Sequence, residues 1–126
     1  DISPDGKTIV FSSSRNGALD LWLMDSDGNN QRRLVTSPRR DIYPSWSRDG
    51  KRIAFASARD GNQEVYVVDR DGNNLKRVTR HAERDGFPIW HPDGHRLLTI
   101  SERGGRFDFY LWNATESASG AARSGT

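Results

Sequence analysis

Apolar and polar residues alternate in short runs along this chain and nowhere recur at helical spacing. In Lys51–Ser57, Ile53, Phe55 and Ser57 share one face while Ala54 and Ala56 share the other, the period of a strand. Glu64–Asp69 reads Glu-Val-Tyr-Val-Val-Asp, a β-branched and aromatic run too short for a helix and apolar enough for a buried strand. Asp41–Trp46 precedes these two and Leu75–Thr79 follows them. Ser47–Gly50, Arg59–Asn62 and Asp71–Asn74 carry the turn residues between. The pattern predicts four antiparallel strands joined by tight turns.

That unit recurs every 44 residues. Ser3–Trp46 laid over Ser47–Trp90 gives 19 identities without a gap. Asp5-Gly6 returns as Asp49-Gly50 and Asp93-Gly94, Asp27 as Asp71, and Trp46 as Trp90. Asp-Gly between strands is a strong hairpin signal, and a recurrent four-stranded unit of this length is the signature of a propeller blade. The predicted fold is all-β: a β-propeller fragment of about three four-stranded antiparallel blades, the first and last incomplete. Residues 1–36 form a partial first blade with strands near 7–13, 19–25 and 31–36. Residues 37–80 form a complete second blade. Residues 81–113 form a partial third, through Phe87–Trp90, Arg96–Ser101 and Phe107–Asn113. Residues 114–126 are small and polar and are expected to be disordered.

Composition narrows the function classes. Hydrophobic residues make up 33% of the chain, which suffices where neighbouring units bury each other's faces. No run approaches the roughly 18 apolar residues of a membrane-spanning helix. Cysteine is absent, which removes disulfides and thiolate metal sites. The formal charge is +2, with both signs interspersed, so the concentrated basic stripe of a nucleic-acid binder is missing.

Specific chemistry finds little support. The two Asp-Gly-Asn-Asn segments, at Asp27 and Asp71, lack the sixth-position glycine and twelfth-position glutamate of a calcium loop. His91 and His95 flank a turn rather than sharing a helical face, and His81 stands apart, so no metal site is expected. No G-x-S-x-G elbow occurs. The expectation is no catalytic, metal or cofactor-binding residue. Trp46, Trp90, Phe11, Phe55, Trp22, Tyr66 and Tyr110 are assigned to the packing between blades. Trp112, near the degenerate end of the repeat, is expected to be more exposed.

Strand direction sorts the loops onto two faces. The Asp-Gly turns gather on one, and the more variable segments near 14–18, 37–41, 58–62, 80–86 and 102–106 gather on the other. Variable loops on a rigid scaffold are where recognition usually sits. Arg39, Arg40, Arg84 and Arg106 there are the candidate partner-binding residues, suited to an acidic or carboxylate-bearing partner. Arg15, Arg59 and Arg103 recur at the period, as do Asp41 and Asp85, and are expected to bridge adjacent blades. The open end blades are expected to meet further blades or to self-associate.

Tyr43–Phe55, Glu64–Gly72 and Arg77–Thr79 together resemble the TolB-like (PD40, WD40-like) propeller repeat, and the resemblance spans residues 3–113. It implies a non-catalytic scaffold for protein–protein contact, in a periplasmic or other extracytoplasmic setting. The same repeat occurs in propellers attached to prolyl-oligopeptidase and tricorn-type peptidases and in oligogalacturonate lyases. The alternative it implies is therefore a substrate-gating segment of a hydrolase or lyase.

Overall fold

The computed structural model describes residues 1–79 and 85–114, and every element among them is a strand. β1 (Thr8–Ser13), β2 (Asp20–Asp25) and β3 (Arg32–Val35) form the first sheet. β4 (Asp41–Trp46), β5 (Arg52–Ser57), β6 (Glu64–Asp69) and β7 (Lys76–Arg77) form the second. β8 (Asp85–Trp90), β9 (Arg96–Arg103) and β10 (Arg106–Asn113) form the third. Each is an antiparallel meander in chain order.

The sheets stack face to face through two apolar layers. Val10, Leu21 and Leu23 of the first sheet meet Trp46, Ile53, Phe55 and Tyr66 of the second. The opposite face of the second, Ala54, Val65 and Val67, meets Trp90, Leu97 and Trp112 of the third. The period-two alternation of the sequence is thus apolar on both faces in the middle sheet, and β5 and β6 are buried almost throughout. First strands touch across sheets, β1 to β4 and β4 to β8, so the sheets converge on that side.

Several elements differ from the sequence expectation. The fourth strand of the second sheet pairs only at Lys76–Arg77 rather than over Leu75–Thr79. The Thr79 hydroxyl accepts the Val65 N–H at 2.9 Å, and the Val65 carbonyl accepts the N–H groups of both Val78 and Thr79, so a side chain replaces the ladder there. In the third sheet pairing runs further, from Arg103 opposite Arg106. Its connection is Gly104-Gly105, both at positive φ, the conformation of a two-residue turn that lets strands pair up to their ends. Trp112 is 3% exposed, against the expectation of exposure. Its indole N–H donates to the Thr99 hydroxyl at 2.9 Å, where the second sheet has Val68 beside Phe55. The large ring has moved to the neighbouring strand and threonine makes room for it. Ala114, assigned by sequence to the tail, is buried and donates its N–H to the His95 carbonyl. The remainder of the tail, 115–126, lies outside the described residues.

Candidate functional site

The site begins with a defect in the first strand of the second and third sheets. Register slips between Ile42 and Ser45 in β4 and between Gly86 and Ile89 in β8. Both bulges hold an aromatic–proline pair, Tyr43-Pro44 and Phe87-Pro88. Proline has no N–H for the ladder, which suits it to a bulge. The aromatic before it takes left-handed backbone, φ 56° at Tyr43 and 51° at Phe87. That conformation is unusual for a bulky side chain and disfavoured again before proline. A strained conformation of this kind costs about 1–3 kcal/mol and persists only where the surroundings impose it.

The strain turns both rings out of their sheets and onto each other. Their centroids lie 4.1 Å apart with planes inclined by 26°. Stacking returns about 1 kcal/mol beyond the buried area. Even so, Tyr43 remains 42% and Phe87 49% exposed. The pair lines a cleft of about 160 Å³ together with Arg40, Gln63, Ile100, Glu102 and Phe107. Gly86 lines it too: a Cβ there would stand 2.8 Å from the Gln63 amide nitrogen, so the missing side chain is what seats Gln63.

This cleft lies on the loop face that sequence reasoning singled out, but only part of the expected set builds it. Arg40 lines it and makes no ion pair among the described residues. Arg39 is exposed in the same connection, and its carbonyl accepts the Ser37 hydroxyl. Arg106 opens β10 one residue before the lining Phe107. Arg84 lies outside the described residues, as does His81. Tyr43 and Phe87 were not among the candidates, although an aromatic before proline at the 44-residue period was visible in the sequence.

Arg15 and Arg59 close contacts within their own sheets rather than bridging blades. Arg59 lies over Phe55 and Tyr66 of its own sheet, 5.4 and 5.1 Å from the ring centroids, and binds Asp41 at 3.0 Å. Asp41 is fully buried and belongs to the same sheet. Its backbone makes the link to the first sheet instead, with its N–H donating to Leu19 and its carbonyl accepting from Ser12. Arg15 stacks over Trp22 at 4.2 Å and donates to Gln31, again within one sheet. The side chains of Arg103 and Asp85 are outside the description. Phe11 and Trp22, expected between blades, lie on the outer face of the first sheet beneath Arg15.

The aspartates of the Asp-Gly turns accept hydrogen bonds from their own turns. Asp49 accepts the Ser47 hydroxyl at 2.7 Å and the Lys51 N–H at 3.0 Å, which hold its carboxyl below the usual range. Asp5 repeats this with Ser3 and Lys7. At Asp93 the His95 N–H and the Arg96 side chain lower it further. Asp27 and Asp71 accept the N–H two residues on and close their turns. Elsewhere, burial and then the Asp60 carboxylate push the Tyr66 hydroxyl above its ordinary value. Among the described residues no group of three or more histidine, aspartate or glutamate side chains is placed to hold a metal ion.

Comparison with known proteins agrees with this fold. The PD40 family pattern, the TolB beta propeller domain, matches residues 1–120. The Tol-Pal system protein TolB of Anaeromyxobacter dehalogenans is 43% identical over 44 residues, covering 35% of this chain and 10% of that protein. The solved structure of a TolB candidate from Agrobacterium tumefaciens superposes with a TM-score of 0.80 at 28% identity, over 98% of this chain and 46% of that one. The tricorn protease shares the fold, with a TM-score of 0.70 at 16% identity over 99% of this chain and 15% of that one. The chain therefore spans less than half the length of these proteins. Its repeats, turns and stacked sheets make it a member of the TolB β-propeller (PD40) family.

Proposed function

We propose that this chain is a non-catalytic propeller segment that holds a protein partner of an extracytoplasmic Tol–Pal-type system. The observation that carries the reading is the Tyr43–Phe87 pair. Two aromatic residues are held in strained left-handed backbone at the repeat period, stacked, and still half open to solvent. Strained backbone of this kind clusters at ligand-binding positions, and exposed aromatic rings give contact area at little entropic cost. Arg40, with Arg39 and Arg106 on the same loop face, supplies the cationic surround for a carboxylate on the partner. Arginine recognises carboxylates with two parallel hydrogen bonds, so it fixes orientation as well as charge.

The test is titration calorimetry with the soluble domain of a Pal protein, taken from Anaeromyxobacter dehalogenans. Saturable binding is expected, weakened at least about tenfold by Tyr43→Ala or Phe87→Ala, as for a hot-spot aromatic. Absence of binding, or binding indifferent to both substitutions, contradicts the proposal.

A further inference from the structure

The cleft at Tyr43 and Phe87 departs from the repeat that surrounds it. Where the first and second sheets meet, three of the matching wall positions hold Leu19, Ile42 and Ala58. Ile42 is buried there. Between the second and third sheets the same positions hold Gln63, Gly86 and Glu102, and all three line the cleft. Two alkyl side chains are replaced by a carboxamide and a carboxylate, and a third is gone. Gly86 does not take left-handed backbone, so its own conformation does not demand glycine. Its missing side chain serves the Gln63 amide, which a Cβ would meet at 2.8 Å. Three changes at one junction, each from alkyl to polar or absent, mark a recess built for a polar occupant rather than a packing fault.

The charges narrow that occupant. Arg40 enters from the connection before β4 of the second sheet, and Glu102 from β9 of the third. Arg40 makes no ion pair among the described residues, so these opposite charges line one cleft without joining each other. The rest of the lining is apolar: Tyr43, Phe87 and an exposed Phe107, with Ile100 half-buried. The volume of about 160 Å³ is roughly half of the 300 Å³ or so at which pockets for drug-sized ligands begin. A sugar ring or the interior of a peptide chain would cover the rings and leave both charges unanswered. A fatty acid would answer only the arginine. The matching ligand is small, with one anionic group, one cationic group and a short apolar body.

We infer that the cleft binds a free α-amino acid with an apolar side chain. Arg40 takes the carboxylate through two parallel N–H groups of its guanidinium. The ammonium goes to Glu102, whose carboxylate has about four acceptor sites and accommodates it beside any protein donor. The apolar side chain lies on the exposed rings and leaves water. This rests on the reading of the cleft as a binding site, but not on which protein docks there. An amino acid and a partner's carboxylate both need Arg40, so the bound amino acid opposes docking.

Titrating the full chain with L-leucine while following backbone amide NMR signals tests this without a partner protein. Two probes each lack one charge: N-acetyl-L-leucine has no ammonium, and L-leucinamide has no carboxylate. Leucine is expected to shift the Tyr43 and Phe87 amides saturably, with a dissociation constant on the order of 1 mM for so small a ligand. Each probe should bind at least about tenfold more weakly, having lost one charge-assisted contact. In Arg40→Gln, leucine should lose its advantage over leucinamide and keep it over N-acetyl-leucine; Glu102→Gln should do the reverse. Gln63→Leu with Gly86→Ile, which restores the residues of the first junction, should abolish the shifts and leave circular dichroism unchanged. No saturable shift up to about 50 mM, shifts confined to other parts of the chain, or equal binding of leucine and both probes would overturn the inference. So would preferences unchanged in both Arg40→Gln and Glu102→Gln at wild-type melting temperature. Pal binding without leucine binding would overturn this inference alone.

Discussion

The Trp90 indole N–H donates to the Ser45 carbonyl at 3.0 Å, and the Trp46 indole makes the same bond to the Asp1 carbonyl at 3.2 Å. Each bond crosses from one sheet to the one before it and spans the same 45 residues of chain. The second and third sheets thus each meet their predecessor at an equivalent point, with a ring in the apolar layer and a hydrogen bond at its rim. Trp90→Phe keeps most of the ring and loses the bond, so it should cost about 1–2 kcal/mol in urea unfolding. Trp90→Ala should cost about 3–5 kcal/mol, the range for removing a large buried aromatic. Equal losses from the two would contradict a role for the bond.

The buried Asp41 carboxylate depends on Arg59. Arg59→Ala should destabilise the chain by about 3 kcal/mol, because it leaves a buried charge without its cation. Arg59→Lys should recover only part of this, since an ammonium does not stack across Phe55 and Tyr66 as the planar guanidinium does. Chemical denaturation of both variants checks the order.

Thr99 and Trp112 form a coupled pair in the third sheet. Thr99→Val is nearly isosteric but leaves a buried indole N–H without that acceptor, a cost of about 1–3 kcal/mol. In a Trp112→Phe background the same substitution should cost clearly less. A double-mutant cycle with coupling below about 0.5 kcal/mol would show that the two residues act independently.

The turn aspartates set the acid response. Asp5, Asp49 and Asp93 are all held below the ordinary carboxylate value of 3.8 in the folded chain. A depressed folded pKa contributes stability that is complete above the unfolded value and is lost as pH falls through the folded one. Melting temperature should therefore fall with acidification below about pH 4. Ser47→Ala removes the largest cause of the Asp49 shift and should flatten that dependence. An unchanged slope in this variant would contradict the assignment.

Sheet order and most strand positions were legible in the sequence, because Asp5, Asp49 and Asp93 mark hairpins locally and the 44-residue period fixes how hairpins repeat. The cleft was less legible. Tyr43 and Phe87 sit in runs that read as ordinary strand, and their outward turn comes from bulges whose backbone conformation opposes both residue preference and the following proline. The roles of the arginines were misread for a related reason. Recurrence at the period singled out Arg15 and Arg59, but recurring contacts can close within a sheet, as these do. Arg52 and Arg70 cross between sheets from non-equivalent positions, so no periodic comparison exposes them. Trp112 was misplaced because the compensating change, Thr99 for phenylalanine, lies on the adjacent strand and not beside it in sequence.

Stacking of successive sheets through their recurrent tryptophans is the core of this account, and hydrogen exchange of the indole N–H groups in dilute solution tests it most directly. Trp46 and Trp90 are predicted to exchange slowly and to lose protection together with the backbone amides of β5 and β6 as denaturant is added. Exchange of either indole at the rate of free tryptophan, while β5 and β6 stay protected, would mean that neighbouring sheets are not joined there.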